Sequence, residues 1–289
     1  MAHPHAPHSR PLKEADLEPK QPARRTWLKR GIGAAALVGL SWAPPARADW
    51  TDDVTTIRKY AARGNFLAAE EFATQSLNRG PGGFLFAGTG TLIIHHWRAR
   101  LRLLGGDTQG AIADADKIIQ ADSSFLTPDA GYAQRAMAKA VARDTSGCEA
   151  DFARAIELAS TGTYSRFRIY GAQGERSVAR LLLNDFAGAL KDLNEAIDGD
   201  HDTRMMATQV AIKKSAYTSL RQAIPFLEMG DLARATVPIR AAVDVLMKAS
   251  AEHLGSDFLT PQLLLMQIEL WLAERQATQA APAAPVTSP

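Results

Sequence analysis

Asp198-Gly199-Asp200-His201-Asp202 sets three carboxylates at alternate positions, a spacing that can gather oxygen ligands around one hard cation. A calcium loop also needs Gly at 203 and a carboxylate at 209, where this chain has Thr203 and Gln209. The run therefore also reads as a loop between helices, with Asp202 capping the next one; a cation at Asp198, Asp200 and Asp202 is left open. Gly83 to Thr91 has the glycines of a phosphate loop, but Thr89 stands where Lys would neutralise the phosphate, and no strand precedes it. It reads as a long connection, with Thr89 or Thr91 capping the helix that follows. His95 and His96 are adjacent, so on a helix they point about a hundred degrees apart and do not chelate one metal. His3, His5 and His8 lie in a segment expected to be discarded. Cys148 is the only cysteine, which excludes an intrachain disulfide; it reads as a small buried residue. Neither a Gly-x-Ser-x-Gly elbow nor a His-Glu-x-x-His pair occurs. The sequence assigns no catalytic, cofactor-binding or metal-binding residue, and we expect no enzyme.

With no such constellation to place, the elements themselves carry the reading. The chain has 289 residues, 46% of them hydrophobic and 22% charged, with a formal net charge of +2. Eight Lys+Arg against three Asp+Glu fall in residues 1–48, leaving 25 against 28 in the remainder. The remainder is mildly acidic and lacks the concentrated positive footprint that nucleic-acid binding requires.

Arg24-Arg25-Thr26-Trp27-Leu28-Lys29-Arg30 precedes a weakly apolar run from Gly31 to Ala43 that is too short to anchor in a bilayer. Ala46-Arg47-Ala48 then offers small residues for signal-peptidase cleavage before Asp49. The paired arginines, the aromatic, Leu28 and Lys29 resemble a twin-arginine export signal, although Ala23 stands where the family usually has Ser or Thr. The general secretory route is the alternative. The resemblance implies export of an already folded protein by the translocase, with the mature chain in the periplasm and no transmembrane helix in it.

From residue 50 on, Ala/Leu-rich stretches are broken by Gly, Asn and Asp, and no strand alternation is evident, so the class is all-α. One unit recurs: a helix, a tight turn, then a helix with small or apolar residues at fixed offsets. Its second helices carry Ala69, Ala73 and Ser76; Ala111, Ala115 and Ile118; Cys148, Phe152 and Ala155; Ala189, Leu193 and Ala196; and Ala235, Ile239 and Ala242. First helices are expected near 50–62, 90–104, 128–142, 166–183 and 203–229. This Gly-Asp/Asn turn with its Ala-Leu-Ala-Ile face, clearest in Ala189 to Ile197 and Phe152 to Leu158, resembles tetratricopeptide repeats. The resemblance implies an α-solenoid of about five antiparallel helix pairs over 49–276. Turn spacings of 42, 37, 41 and 46 residues depart from the family's 34. Pro225 and Pro238 are expected to kink or break the fifth pair. A helix near 261–274 would cap the open end, and 277–289 reads as a disordered tail.

The expected function is a periplasmic scaffold or adaptor that binds a protein or peptide. If first helices line a concave face, His96, Arg100 and Leu103 of the second pair and Tyr217, Leu220, Ile224 and Leu227 of the fifth line the groove. Packing against the last helix is the competing reading for those residues. Tyr164, Arg166, Phe167, Arg168, Tyr170 and Arg176 form an aromatic-basic stretch, either a ligand contact or a solvated face. Val54 and Arg58 occupy positions where the family's carboxylate clamp uses Lys and Asn, so that specificity is not carried over. An assembly chaperone for an exported cofactor enzyme, or a helical enzyme acting on cell-wall material, are the alternatives.

Overall fold

The computed structural model describes residues 50–80, 87–121, 127–161, 165–199, 207–252 and 259–280. Those residues form eleven helices: α1 (Trp50–Ala62), α2 (Phe66–Arg79), α3 (Ala87–Gly105), α4 (Thr108–Gln120), α5 (Pro128–Val141), α6 (Thr145–Ser160), α7 (Ser165–Leu182), α8 (Phe186–Asp198), α9 (Ala207–Glu228), α10 (Leu232–Glu252) and α11 (Leu259–Ala280). No strand occurs among the described residues. The leader and Asp200 and Asp202 lie outside them.

Five turns are built alike. The last helical residues hand over to one residue with positive φ: Gly64 (76°), Gly106 (84°), Arg143 (66°), Asn184 (66°) and Gly230 (72°). This left-handed residue reverses the chain, and the backbone N–H that follows it closes onto a carbonyl five residues back. Asn65 reaches Tyr60, Asp107 reaches Arg102, Asp144 reaches Lys139, Asp185 reaches Arg180 and Asp231 reaches Phe226, all at 2.8–2.9 Å. That same Asn or Asp caps the next helix through its side chain, accepting the N–H three residues on. One residue thus closes one helix and opens the next, so α1/α2, α3/α4, α5/α6, α7/α8 and α9/α10 are antiparallel hairpins.

Counted from that capping residue, the side chains at offsets 4, 8 and 11 are at most 2% exposed in every hairpin: Ala69-Ala73-Ser76, Ala111-Ala115-Ile118, Cys148-Phe152-Ala155, Ala189-Leu193-Ala196 and Ala235-Ile239-Ala242. These offsets share one helical face, so each second helix buries the same stripe. Successive hairpins pack on one another in chain order, giving an α-solenoid. The unequal spacing arises outside the turns. Helices α4 and α8 have 13 residues each, α9 has 22 and α10 has 21.

Three expectations need correction. Helix α3 begins at Ala87, so Thr89 and Thr91 lie inside it rather than capping it. Helices α9 and α10 run unbroken through Pro225 and Pro238. Pro225 sits in the last turn of α9. Pro238 removes only the bond to the Arg234 carbonyl, at an exposed residue where water can replace it. Finally, α11 does more than cap an end. It packs on α10 and also on α1, α3 and α7, while α10 itself touches α1, so the array closes around α11. This helix also continues to Ala280, into the segment expected to be tail.

Gly230→Ala isolates the backbone contribution, because a Cβ there would meet no neighbour within 4 Å. We expect a loss of about 1–2 kcal/mol in unfolding free energy by urea titration, from the left-handed conformation alone.

Candidate functional site

Within each of the three inner hairpins, one buried carboxylate holds two cations. Asp114 (2% exposed) accepts Arg98 Nε and Nη2 at 2.9 and 2.6 Å and Arg102 Nη1 at 2.9 Å, and His95 Nδ1 lies 2.6 Å away. Asp151 accepts Arg135 Nε and Nη2 at 2.8 Å each and Lys139 Nζ at 2.7 Å. Asp192 (0% exposed) accepts Arg176 Nε and Nη2 at 2.8 and 2.6 Å and Arg180 Nη1 at 2.9 Å. The cations also reach the preceding hairpin: Arg102 to Glu70, Arg135 to Asp116 and Arg180 to Glu149. The spacing is identical in all three, Arg-x3-Arg/Lys-x4-Asp-x2-Gly-x3-Asp. A Cβ on the glycine (Gly110, Gly147, Gly188) would overlap the capping carboxylate as it sits here, and the glycine carbonyl takes the second cation.

Burial by itself pushes Asp114 up, but hydrogen bonds from His95 and Arg98, with the charges of Arg98 and Arg102, outweigh it and hold the carboxyl below its ordinary range. Asp151 is likewise held low against burial by Arg135 and Lys139. Beside this clamp Cys148 has the opposite fate. Burial first, then Glu149, Asp144 and Asp151, push its thiol up to about 12, so it stays protonated and is not a nucleophile. Among the described residues no group of three His, Cys, Asp or Glu side chains is placed to hold a metal ion.

The residues expected to line an open groove lie inside the molecule. Arg100 and Leu103 are 5% and 4% exposed; Tyr217, Leu220, Ile224 and Leu227 are 8%, 0%, 1% and 2%. His96 is half-buried. The register supplies the reason: offsets 11, 7 and 4 before the capping residue are an interior face in the neighbouring hairpins too, where they hold Ala133, Met137 and Ala140, then Gly174, Val178 and Leu181. Tyr217 rests on the bare backbone of Gly174 on α7, inside the array rather than in an open groove. His96 and Arg100 instead join a polar bridge along the inner helices. Gln134 on α5 donates to the His96 ring and to its carbonyl at 3.1 Å, and Arg100 Nη2 donates to Glu175 Oε1 on α7 at 2.8 Å. From the aromatic-basic stretch, Arg168 pairs with Asp129 and Arg176 with Asp192; both are structural partners.

The inner face is filled by α11. From Thr260 to Leu272 it is buried nearly all round, with Leu263, Leu264, Leu265, Ile268, Leu270, Trp271 and Leu272 at most 4% exposed. Its link to α10 is polar, through Arg240 to Glu269 at 3.4 Å and Gln276 to the Leu232 carbonyl at 3.4 Å. Burial pushes Glu269 up, with Arg240 opposing. Arg275 stacks on Trp271 at 4.8 Å and donates to Asn184 Oδ1 at 2.8 Å, which fixes α11 to the α7/α8 turn. Both side-chain polar atoms of Gln262 and of Gln267, and Trp271 Nε1, have no hydrogen-bonding partner among the described residues. Each buried large apolar side chain contributes about 1.5–3 kcal/mol. Each stranded polar atom costs about 1–3 kcal/mol. The stranded atoms offset part of what burial contributes, so α11 is held less firmly than its buried area alone would dictate.

No family model, no curated protein and no solved structure matches this chain.

Two outcomes test the clamps. Asp192→Ala leaves Arg176 and Arg180 facing an emptied buried site and is expected to cost about 3–5 kcal/mol by urea unfolding. Asp116→Ala, at a partner 36% exposed, is expected to cost under about 1 kcal/mol. The acid limb of stability carries a sign as well. Asp114 and Asp151 are held low in the folded chain, so their contribution is complete above the unfolded carboxylate value of about 3.9 and fades as pH falls through the folded one. Unfolding free energy between pH 7 and 2.5 should drop on the acid side, and Asp114→Asn should flatten that drop.

Proposed function

We propose that this chain is an exported, tetratricopeptide-like scaffold that binds a protein or peptide partner and does no chemistry. The observation that carries the reading is the inner face of the array, formed by α1, α3 and α7, which accommodates a helix along its length. Proteins that lay a helix into an apolar groove recognise partners by that same packing. The repeated hairpins supply a stiff frame, since each contacts its neighbours through the same buried stripe. Arg24-Arg25 and the Ala46-Arg47-Ala48 site support export through the twin-arginine route, with the mature chain starting at Asp49 in the periplasm. No helix among the described residues is long and apolar enough to cross a membrane.

In-cell cross-linking of the exported full chain is expected to recover one protein well above a control that carries the leader alone. Recovery of nothing above that control overturns the binding role. The export route has its own readout. Residues 1–48 fused to a reporter that folds before export should deliver it to the periplasm, and loss of the twin-arginine translocase should abolish delivery.

A further inference from the structure

The solvent face of α10 breaks the pattern of the other second helices. Six and ten residues past the cap, each of those four carries at least one exposed polar side chain: Glu71 and Gln75, Lys117, Arg154, and Lys191. Helix α10 carries Val237 and Ala241 there. Val237 is 71% exposed, more than any other large apolar side chain among the described residues; Met229 (66%) lies just before α10 and Val245 (39%) two turns beyond Val237. Ala233, Val237 and Ala241, four apart and all exposed, form one ridge along the helix, the kind that packs closely against a second helix. Charges border this ridge in a fixed order. Arg234 and Arg240 come first, Asp244 and Glu252 last, and all four are exposed. Turning α10 end for end about Ala242 lays Arg240 opposite Asp244 and Ala233 opposite Ala251, and brings Arg234 within two residues of Glu252. At about 100° per residue, the two members of each such pair lie on the same side of the seam, which is where an antiparallel two-fold axis joins them. Exposed Lys248, mid-seam, lays its methylene stem over Val237 of the copy. The charges that fit this face are therefore its own, reversed.

We infer that α10 is a self-association surface: two copies of this chain pack α10 on α10, antiparallel, about a two-fold axis beside Ala242. Val237 and Ala241 fill the seam, and Arg240 with Asp244 and Arg234 with Glu252 pair across its rims. Exposed ion pairs contribute little each, so they set direction and register while the apolar seam supplies the attraction. One helix pair falls at the small end of specific interfaces, below about 1,200 Å² in total, so the dimer forms reversibly and with concentration.

Sedimentation velocity of the purified full chain over a concentration series tests this. A monomer–dimer equilibrium is expected, and Val237→Glu should leave monomer throughout. Asp244→Arg or Arg240→Asp alone sets like charges against each other and should weaken the dimer about tenfold or more. The two together restore opposite pairing and should recover most of that loss. A chain that stays monomeric overturns the proposal, as does a dimer indifferent to Val237→Glu. A double reversal no better than the single ones overturns the antiparallel register. Disulfide trapping reads the same geometry without relying on loss of association. Ala241→Cys, next to the axis, should cross-link to itself on oxidation, and Arg154→Cys, at the matching position of α6, should not. No cross-link at 241, or equal cross-linking at both positions, overturns the interface.

Discussion

Each inner hairpin is organised around a carboxylate that has lost its water to two cations. Removing Asp114, Asp151 or Asp192 from solvent is costly, and the cost is met only because an arginine binds each with two nitrogens and a second cation holds the other side. That geometry dictates its neighbours. The arginine and the second cation must lie four residues apart on the first helix, so that both face the second. The residue three past the cap is glycine in all three, and its carbonyl takes the second cation. The end hairpins abandon the device. Tyr60 and Phe72 pack ring on ring at 6.2 Å at the corresponding places of α1/α2, and α9/α10 has Gln222, Phe226 and Pro238 there. In α1/α2 a different buried carboxylate, Asp53, takes Ser76 and Arg79 instead.

The fold was largely legible in the chain because it repeats. Turn residues that force a reversal, followed by small residues at offsets 4, 8 and 11, leave little freedom, and the first-helix positions inferred from them agree with the helices to within a few residues. The clamp was equally present in the letters, as Arg98, Arg102, Asp107, Gly110 and Asp114 recur with the same spacing twice more. It was hidden because charged residues on a helix are ordinarily read as facing solvent, whereas here they face each other between two helices. The groove residues were misplaced for a different reason. A period of 3.6 says which residues share a face but not what that face meets, and for Leu220, Ile224 and Leu227 it meets the rest of the chain.

The last helix was recognised as apolar, yet its position is a long-range fact. Leu263, Leu264, Leu265, Ile268, Leu270 and Trp271 are spread around the helix rather than along one stripe, the mark of a helix covered on most sides rather than laid on a surface. No local signal names α1, α3 and α7 as the elements that surround it. Low helical amphipathicity at the end of a repeat array is the trace that points there.

Contact of α1 with α10 and α11 joins segments some two hundred residues apart in sequence. Hairpins can form one by one as the polypeptide emerges from the ribosome, but the inner sides of α1 and α3 stay wet until the final helix has been synthesised. Maturation is consequently a terminal event, and a nascent chain stalled before Leu259 would display greasy surface to any chaperone nearby.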